Sequence, residues 1–203
     1  MIELRPNNCP APGEKRLTRA FARLVAWSFC FVFPTVMVDA GAAVVAQGLV
    51  QSEARLKSAF IFNFAKFVEW PANAFSEPNS PLVVGVIGKD TLGPALDQVI
   101  QGKSVNGRPI VVHRFAVGQE VQSCHILFVS AKNEADLAQI LERARGANIL
   151  TVGETEGFLK AGGIIRFVTV ENRLQFEISA ANAAQSGLKI SSKLLLLSRK
   201  PSE

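Results

Sequence analysis

Beyond residue 46, the side chains whose types can do chemistry near neutral pH are few. They are His113 and His125, Cys124 beside the second of these, the pair Glu154 and Glu156 in VGETEGF, and Arg166 within the apolar run GGIIRFVTV. A metal centre needs three or four donors at characteristic spacings, and no Asp, Glu or Cys accompanies either histidine at such a spacing. Cys124 and His125 are neighbours on a predicted strand, so they point to opposite faces and do not form a thiol–imidazole pair. Glu154 and Glu156 have no second catalytic group in view and read as solvated loop charges. Gly85, Gly88 and Gly93 flank a strand-to-helix turn, but their spacing matches neither a dinucleotide-binding nor a phosphate-binding loop. Arg166 shares a strand face with Ile164 and Val168, where an arginine either snorkels to an edge or pairs with an anion. No catalytic constellation, metal site or cofactor is expected.

The elements that must hold these residues follow from periodicity. Ser52 can cap a helix through SEARLKSAFIFNFAKFVEW, which Pro71 stops. Its expected core stripe is Leu56, Phe60, Phe64 and Phe67, which leaves Phe62, Lys66, Glu69 and Trp70 unexplained by the core. LVVGVIG (82–88) reads as a buried parallel strand, followed by a helix capped at Asp90 or Thr91 and reaching about residue 101. Strands at 109–114, 125–129 and 148–152 follow, with a helix between the last two that is capped by Asn133 and ended by Gly146. GGIIRFVTV and RLQFEIS meet at Glu171-Asn172 as an antiparallel hairpin, the second strand turning Leu174, Phe176 and Ile178 inward and Arg173, Gln175 and Glu177 outward. A helix at about 180–186 and the apolar segment LKISSKLLLLSR close the chain. The fold class is therefore α/β: three layers, a mostly parallel sheet flanked by helices, and a C-terminal antiparallel hairpin.

The N-terminus carries a different message. Arg5, Lys15, Arg16, Arg19 and Arg23 precede the uncharged run LVAWSFCFVFPTVMV, the order of a secretory signal peptide. Cleavage after Val44-Val45-Ala46 is preferred over Ala40-Gly41-Ala42, giving a signal over residues 1–46 and one domain over 47–203. A membrane anchor is the alternative, which Pro34, Asp39 and the small-residue tail disfavour. Loss of that segment removes five basic and three acidic residues, so the formal charge falls from +5 to +3. With no run of Lys or Arg, this excludes a case for nucleic acid binding. Cys9 and Cys30 leave with the signal, so Cys124 remains alone and no internal disulfide can form.

Several segments in order resemble the YfiR family of periplasmic regulators: KSAFIFNFAKFVEWP, LVVGVIGKDTLGPAL, GRPIVV, CHILFVS, ILTVGETEGFLKAGGIIRF and LQFEISAANAAQSGLKISSKLLLL. The combination of AKFVEWP and LKISSKLL with CHILF between them is the most specific part. The resemblance implies an exported α/β protein, often a homodimer, that binds the periplasmic sensory domain of an inner-membrane diguanylate cyclase and holds it inactive. It also implies an outer-membrane lipoprotein that sequesters the regulator, which raises cyclic di-GMP and promotes biofilm formation. The namesake has disulfides, and this chain departs from it in having Cys124 alone.

These readings give a non-enzymatic negative regulator acting by protein–protein contact, with Phe62, Lys66, Glu69 and Trp70 as the candidate partner or dimer contact. The alternative is a periplasmic small-molecule sensor or carrier whose anionic ligand meets Arg166 at the carboxyl ends of the strands.

Overall fold

Alternating apolar strands and capped helices build a seven-stranded sheet covered on both faces. A computed structural model describes the backbone of residues 40–201, apart from 117 and 122, and side chains from residue 50 onward. In chain order the elements are helix α1 (Ala40–Phe67), strands β1 (Val68–Glu69) and β2 (Leu82–Gly88), helix α2 (Pro94–Ile100), strands β3 (Ser104–Val105), β4 (Arg108–Phe115) and β5 (Ile126–Ser130), helix α3 (Glu134–Ala144), strands β6 (Leu150–Gly153), β7 (Ile165–Val170) and β8 (Arg173–Ile178), helix α4 (Ala180–Gln185), strand β9 (Lys189–Ile190) and helix α5 (Ser192–Leu197). The larger sheet runs β3-β4-β2-β5-β6-β7-β8. Neighbours from β4 to β7 are parallel, and the antiparallel pairs β3–β4 and β7–β8 lie at the two margins.

A parallel sheet covered on both sides needs apolar residues at consecutive positions, and the central strands have them. Leu82, Val84 and Val86 of β2 and Ile126 and Phe128 of β5 join one core with α1 and α2. Val83, Ile87, Leu127 and Val129 join a second core under Leu137, Ile140, Leu141 and Ala144 of α3. The three-layer expectation holds. Local signals act as read at several points: Asn133 Oδ1 accepts the Asp136 N–H at 2.8 Å at the start of α3, and Glu171 and Asn172 both take positive φ (49° and 60°) in the β7–β8 turn. A second hairpin of the same kind, β3–β4, turns at Asn106-Gly107 (φ 52° and 79°) and adds to the expected elements.

Three features of the first helix differ from expectation. It runs from Ala40, so Ser52 lies inside it instead of capping it. It ends at Phe67 rather than Trp70, because Val68 and Glu69 pair antiparallel with Ile190 and Lys189 in a two-stranded sheet. Its core face is also rotated: Ala54, Ile61, Phe64 and Ala65 are buried, whereas Leu56 is 46% exposed. Steps of four residues advance the stripe by about 40° each, so a line drawn from Leu56 through Phe60 and Phe64 drifts away from its starting face. The buried face, with Ala54, Ile61 and Ala65, lies nearer Phe62, which is half-buried.

Glu177 is the second correction. Alternation places it outward from the α1 core, yet it is 1% exposed, because the C-terminal tail lies beside β8 with a bridge at Arg199 and an Arg199 N–H to Phe176 carbonyl bond of 2.9 Å. Residues 1–39 of the expected export signal lie outside the described residues. Among the described residues no helix is long and apolar enough to cross a membrane.

Candidate functional site

Segments far apart in sequence meet around Trp70. The indole Nε1–H donates to the His125 carbonyl at 3.2 Å, and the strand just before it pairs with β9, where the Ser191 N–H also bonds the Phe67 carbonyl at 2.9 Å. AKFVEWP, CHILFVS and LKISSKLL are therefore joined at one place. The His125 ring is buried there: Nδ1 accepts the Val83 N–H at 3.1 Å, Nε2 stands 3.1 Å from the Ala74 carbonyl, and Phe75 stacks on it at 4.4 Å with the Arg108 guanidinium 3.8 Å above Phe75. This pattern requires a neutral imidazole protonated at Nε2.

Burial pushes the His125 pKa below its ordinary value, the Ala74 bond opposes this, and the nearby charge of Arg108 adds to it. A proton therefore binds more tightly to the unfolded chain. The resulting stability is fully present above the unfolded histidine pKa and is lost as pH falls through the folded one. The urea midpoint is expected to drop between about pH 7.5 and pH 5. His125→Asn, which keeps an acceptor for Val83, is expected to start about 1–2 kcal/mol lower and to show a flatter profile. An unchanged slope in the variant would assign the pH dependence to other groups.

The sequence-predicted contact residues lie on α1 (Phe62 and Lys66), on β1 (Glu69) and just after it (Trp70). Phe62 carries two ammonium groups over its ring, Lys66 Nζ at 4.2 Å and Lys103 Nζ at 4.5 Å from the centroid. Glu69 is exposed on β1 opposite Lys189. Trp70 is half-buried against His125, with ring centroids 6.5 Å apart. Phe62 and Lys66 thus share one surface spot on α1, while Trp70 anchors the junction of three segments.

A charged cleft lies at the carboxyl end of β6. Its floor depends on the motif VGETEGFLKAGG: the fully buried Phe158 ring sits between Gly153 and Gly163, where an added Cβ would approach ring carbons to 2.4 Å and 2.2 Å respectively. Only glycine at 153 and 163 permits this contact. Asn182 Nδ2 then holds the returning loop by donating to the Leu159 and Gly163 carbonyls at 2.9 and 2.7 Å. Glu154 leaves this loop toward α1 and is not a solvated charge. Its carboxylate lies 2.7 Å from Lys57 Nζ, which also meets Glu53 at 2.6 Å. Burial acts to lower the Lys57 pKa, but its bonds to Glu154 and Glu53 outweigh burial and raise it.

Arg166, level with Gly153 in the β6–β7 register, lines this cleft. Its Nη2 donates to Glu177 Oε2 at 2.9 Å from the facing position on β8. Two cavities of about 370 and 360 Å³ share Arg166 and Glu156 in their linings; one reaches Lys160, Glu177 and Ser179, the other Glu53, Lys57 and Glu154. An incoming carboxylate would have to compete with Glu177 for the guanidinium. Both signs of charge meet in the cleft, where Lys57 pairs with Glu53 and Glu154, and Arg166 pairs with Glu177. Sequence patterning does not single out Lys57, Glu53 or Glu177. A lysine three residues after Ala54 and four before Ile61, on the buried face of an amphipathic helix, is the signal that points to the network.

Among the described residues no group of three or more His, Cys, Asp and Glu is placed to hold a metal ion. Cys124 is buried, its thiol 3.0 Å from the Val121 carbonyl, and burial pushes its pKa up to about 12. Its reaction with a thiol reagent near pH 8 is expected to be on the order of a thousandfold slower in the native protein than in denaturant. Comparable rates in both would show that the site opens readily.

A search of curated proteins returned no match to this chain. The family model described as YfiR/HmsC-like matches residues 54–199. That span begins at Ala54, the first buried residue of α1 among the described side chains, includes the Trp70–His125 junction and most of the charged cleft, and ends at the bridge that covers Glu177. The chain belongs to the YfiR/HmsC-like family.

Proposed function

We propose that this protein is an exported repressor that binds the periplasmic sensory domain of an inner-membrane diguanylate cyclase and stabilises its inactive form, limiting cyclic di-GMP and biofilm formation. Family membership over residues 54–199 carries the reading, because it suggests a regulator of diguanylate cyclase signalling. The signal-like N-terminus supports export. The fold supports action by contact: the charged cleft is occupied by internal ion pairs, whereas Phe62, Lys66 and Lys103 lie at the surface of α1 and the β3 margin. A repressor of this kind works by differential affinity, and each tenfold preference for the inactive conformation requires about 1.4 kcal/mol. An outer-membrane lipoprotein that competes for the same protein would relieve repression.

The direct test is binding between the purified chain and the exported domain of a cyclase encoded beside it. Specific association that Phe62→Ala or Lys66→Glu weakens is expected; no association at concentrations well above the micromolar range would count against the reading.

A further inference from the structure

One helix of the fold is apolar on every side yet lies at the surface. α5 carries four leucines in a row, Leu194, Leu195, Leu196 and Leu197, and at 100° per residue these point in turn around the whole helix. Leu194 is buried, whereas Leu195, Leu196 and Leu197 are 37%, 85% and 70% exposed. A helix that is hydrophobic all round is ordinarily enclosed, and adjoining leucines left in water mark a surface that meets something apolar.

The patch is held in place at both ends. Ser191 Oγ caps α5 by accepting the Leu194 N–H at 3.4 Å, and the Ser191 N–H donates to the Phe67 carbonyl at 2.9 Å. Past the helix, the Arg199 N–H donates to the Phe176 carbonyl at 2.9 Å. Buried Leu194 fastens the helix to the main core between these two anchors. The exposed leucines are thus presented on an ordered backbone, which lowers the ordering cost of binding. They line neither cavity beside Arg166, so what they offer is a protruding surface and not a pocket for a small ligand.

The surroundings of the patch are cationic. Lys189, Lys193, Arg199 and Lys200 bracket the leucines, all four exposed, and no acidic residue occurs between Glu177 and Glu203. Pairing brings one exposed acid to this segment, Glu69 opposite Lys189. Glu177, bridged to Arg199, is buried and bound to Arg166. Residues that dominate protein–protein binding are chiefly aromatic or arginine, with leucine under-represented. Leucines between lysines are the pattern of segments that lie in a membrane interface, where aliphatic side chains enter the acyl boundary and cations meet anionic headgroups. Lysine stems can extend along the leucines while their ammonium groups remain at the level of the phosphates.

We propose that this surface docks the protein on a lipid bilayer bearing anionic headgroups. Leu195, Leu196 and Leu197 enter the interface, and Lys193, Arg199 and Lys200 meet the phosphates. The protein lies on the bilayer through this turn and is not inserted across it. This docking does not depend on which protein the chain regulates.

Co-sedimentation with vesicles tests it, using the chain from Gln47 onward because the apolar run at 24–38 would bind lipid by itself. Half-maximal binding to vesicles of phosphatidylglycerol and phosphatidylethanolamine is expected at lipid on the order of a millimolar, with binding to phosphatidylcholine alone about tenfold weaker or less. Leu196→Asn combined with Leu197→Asn changes exposed side chains, so native circular dichroism is retained while binding falls about tenfold or more. Lys193→Gln combined with Lys200→Gln should lower binding to the anionic vesicles by about tenfold and reduce its sensitivity to salt. No binding to anionic vesicles, equal binding to the neutral ones, or a leucine variant that binds like the wild type would overturn the proposal. So would a leucine variant that keeps its vesicle binding but loses association with the exported domain of a cyclase, since that would assign the patch to a protein partner.

Discussion

Replacing Phe64 by alanine is expected to destabilise the domain by about 3–5 kcal/mol, near the upper end of what a single side-chain truncation costs. The ring is fully buried and lies at the centre of four: it stacks on Phe60 (6.1 Å between centroids) and Phe167 (5.8 Å) and meets Phe176 edge-on at 5.1 Å. These contacts tie α1 to β7 and β8, which form one margin of the sheet. Alanine would leave a cavity that three large rings from different elements cannot close together, so the cavity cost adds to the lost transfer energy. Domains of this size are stable by about 5–15 kcal/mol, and the melting temperature should fall by roughly 10–15 °C. Leu56→Ala, on the same helix but exposed, is expected to cost less than about 0.5 kcal/mol. Equal effects at the two positions would mean that the core face of α1 is the stripe read from sequence and not the one described.

Arg166→Ala is expected to cost about 3 kcal/mol or more, because it withdraws the guanidinium 2.9 Å from a carboxylate that is 1% exposed. Glu177→Ala should cost a similar amount. The double replacement Arg166→Met with Glu177→Leu should recover most of the loss, since an apolar pair of comparable volume removes both desolvated charges. Urea denaturation of the four proteins completes the cycle. The same series separates two roles for this arginine. If Arg166→Ala leaves the urea midpoint unchanged, the pair is not structural and the guanidinium is available to an anionic ligand in the adjoining cavities. A large loss with recovery in the double variant identifies Arg166 as part of the scaffold.

The layers are legible in sequence because their signals are local. Continuous apolar runs give β2 and β5, Asn133 gives the start of α3, and Glu171-Asn172 gives the hairpin, each through a mechanism acting within a few residues. What escapes depends on contacts between distant segments. No local rule shows that Val68 and Glu69 leave the helix to pair with Ile190 and Lys189, or that a tail at Arg199 covers Glu177. The Glu154 carboxylate reads as solvated because its partner, Lys57, lies on another element. Helical periodicity carries Phe62, Lys66, Glu69 and Trp70 along one helix, whereas Glu69 lies on strand β1 and Trp70 follows it. The structure gives Trp70 an internal hydrogen bond and leaves the Phe62–Lys66 spot, joined by Lys103, at the surface.

The measurement that bears most directly on the proposed role is intracellular cyclic di-GMP in a strain lacking this protein, complemented either by the full chain or by a version without residues 1–46. An exported repressor predicts a rise in cyclic di-GMP and surface attachment on loss, reversed by the full chain and not by the version that stays in the cytoplasm. Unchanged cyclic di-GMP in a strain that carries the neighbouring membrane cyclase, or equal rescue by both versions, would contradict it.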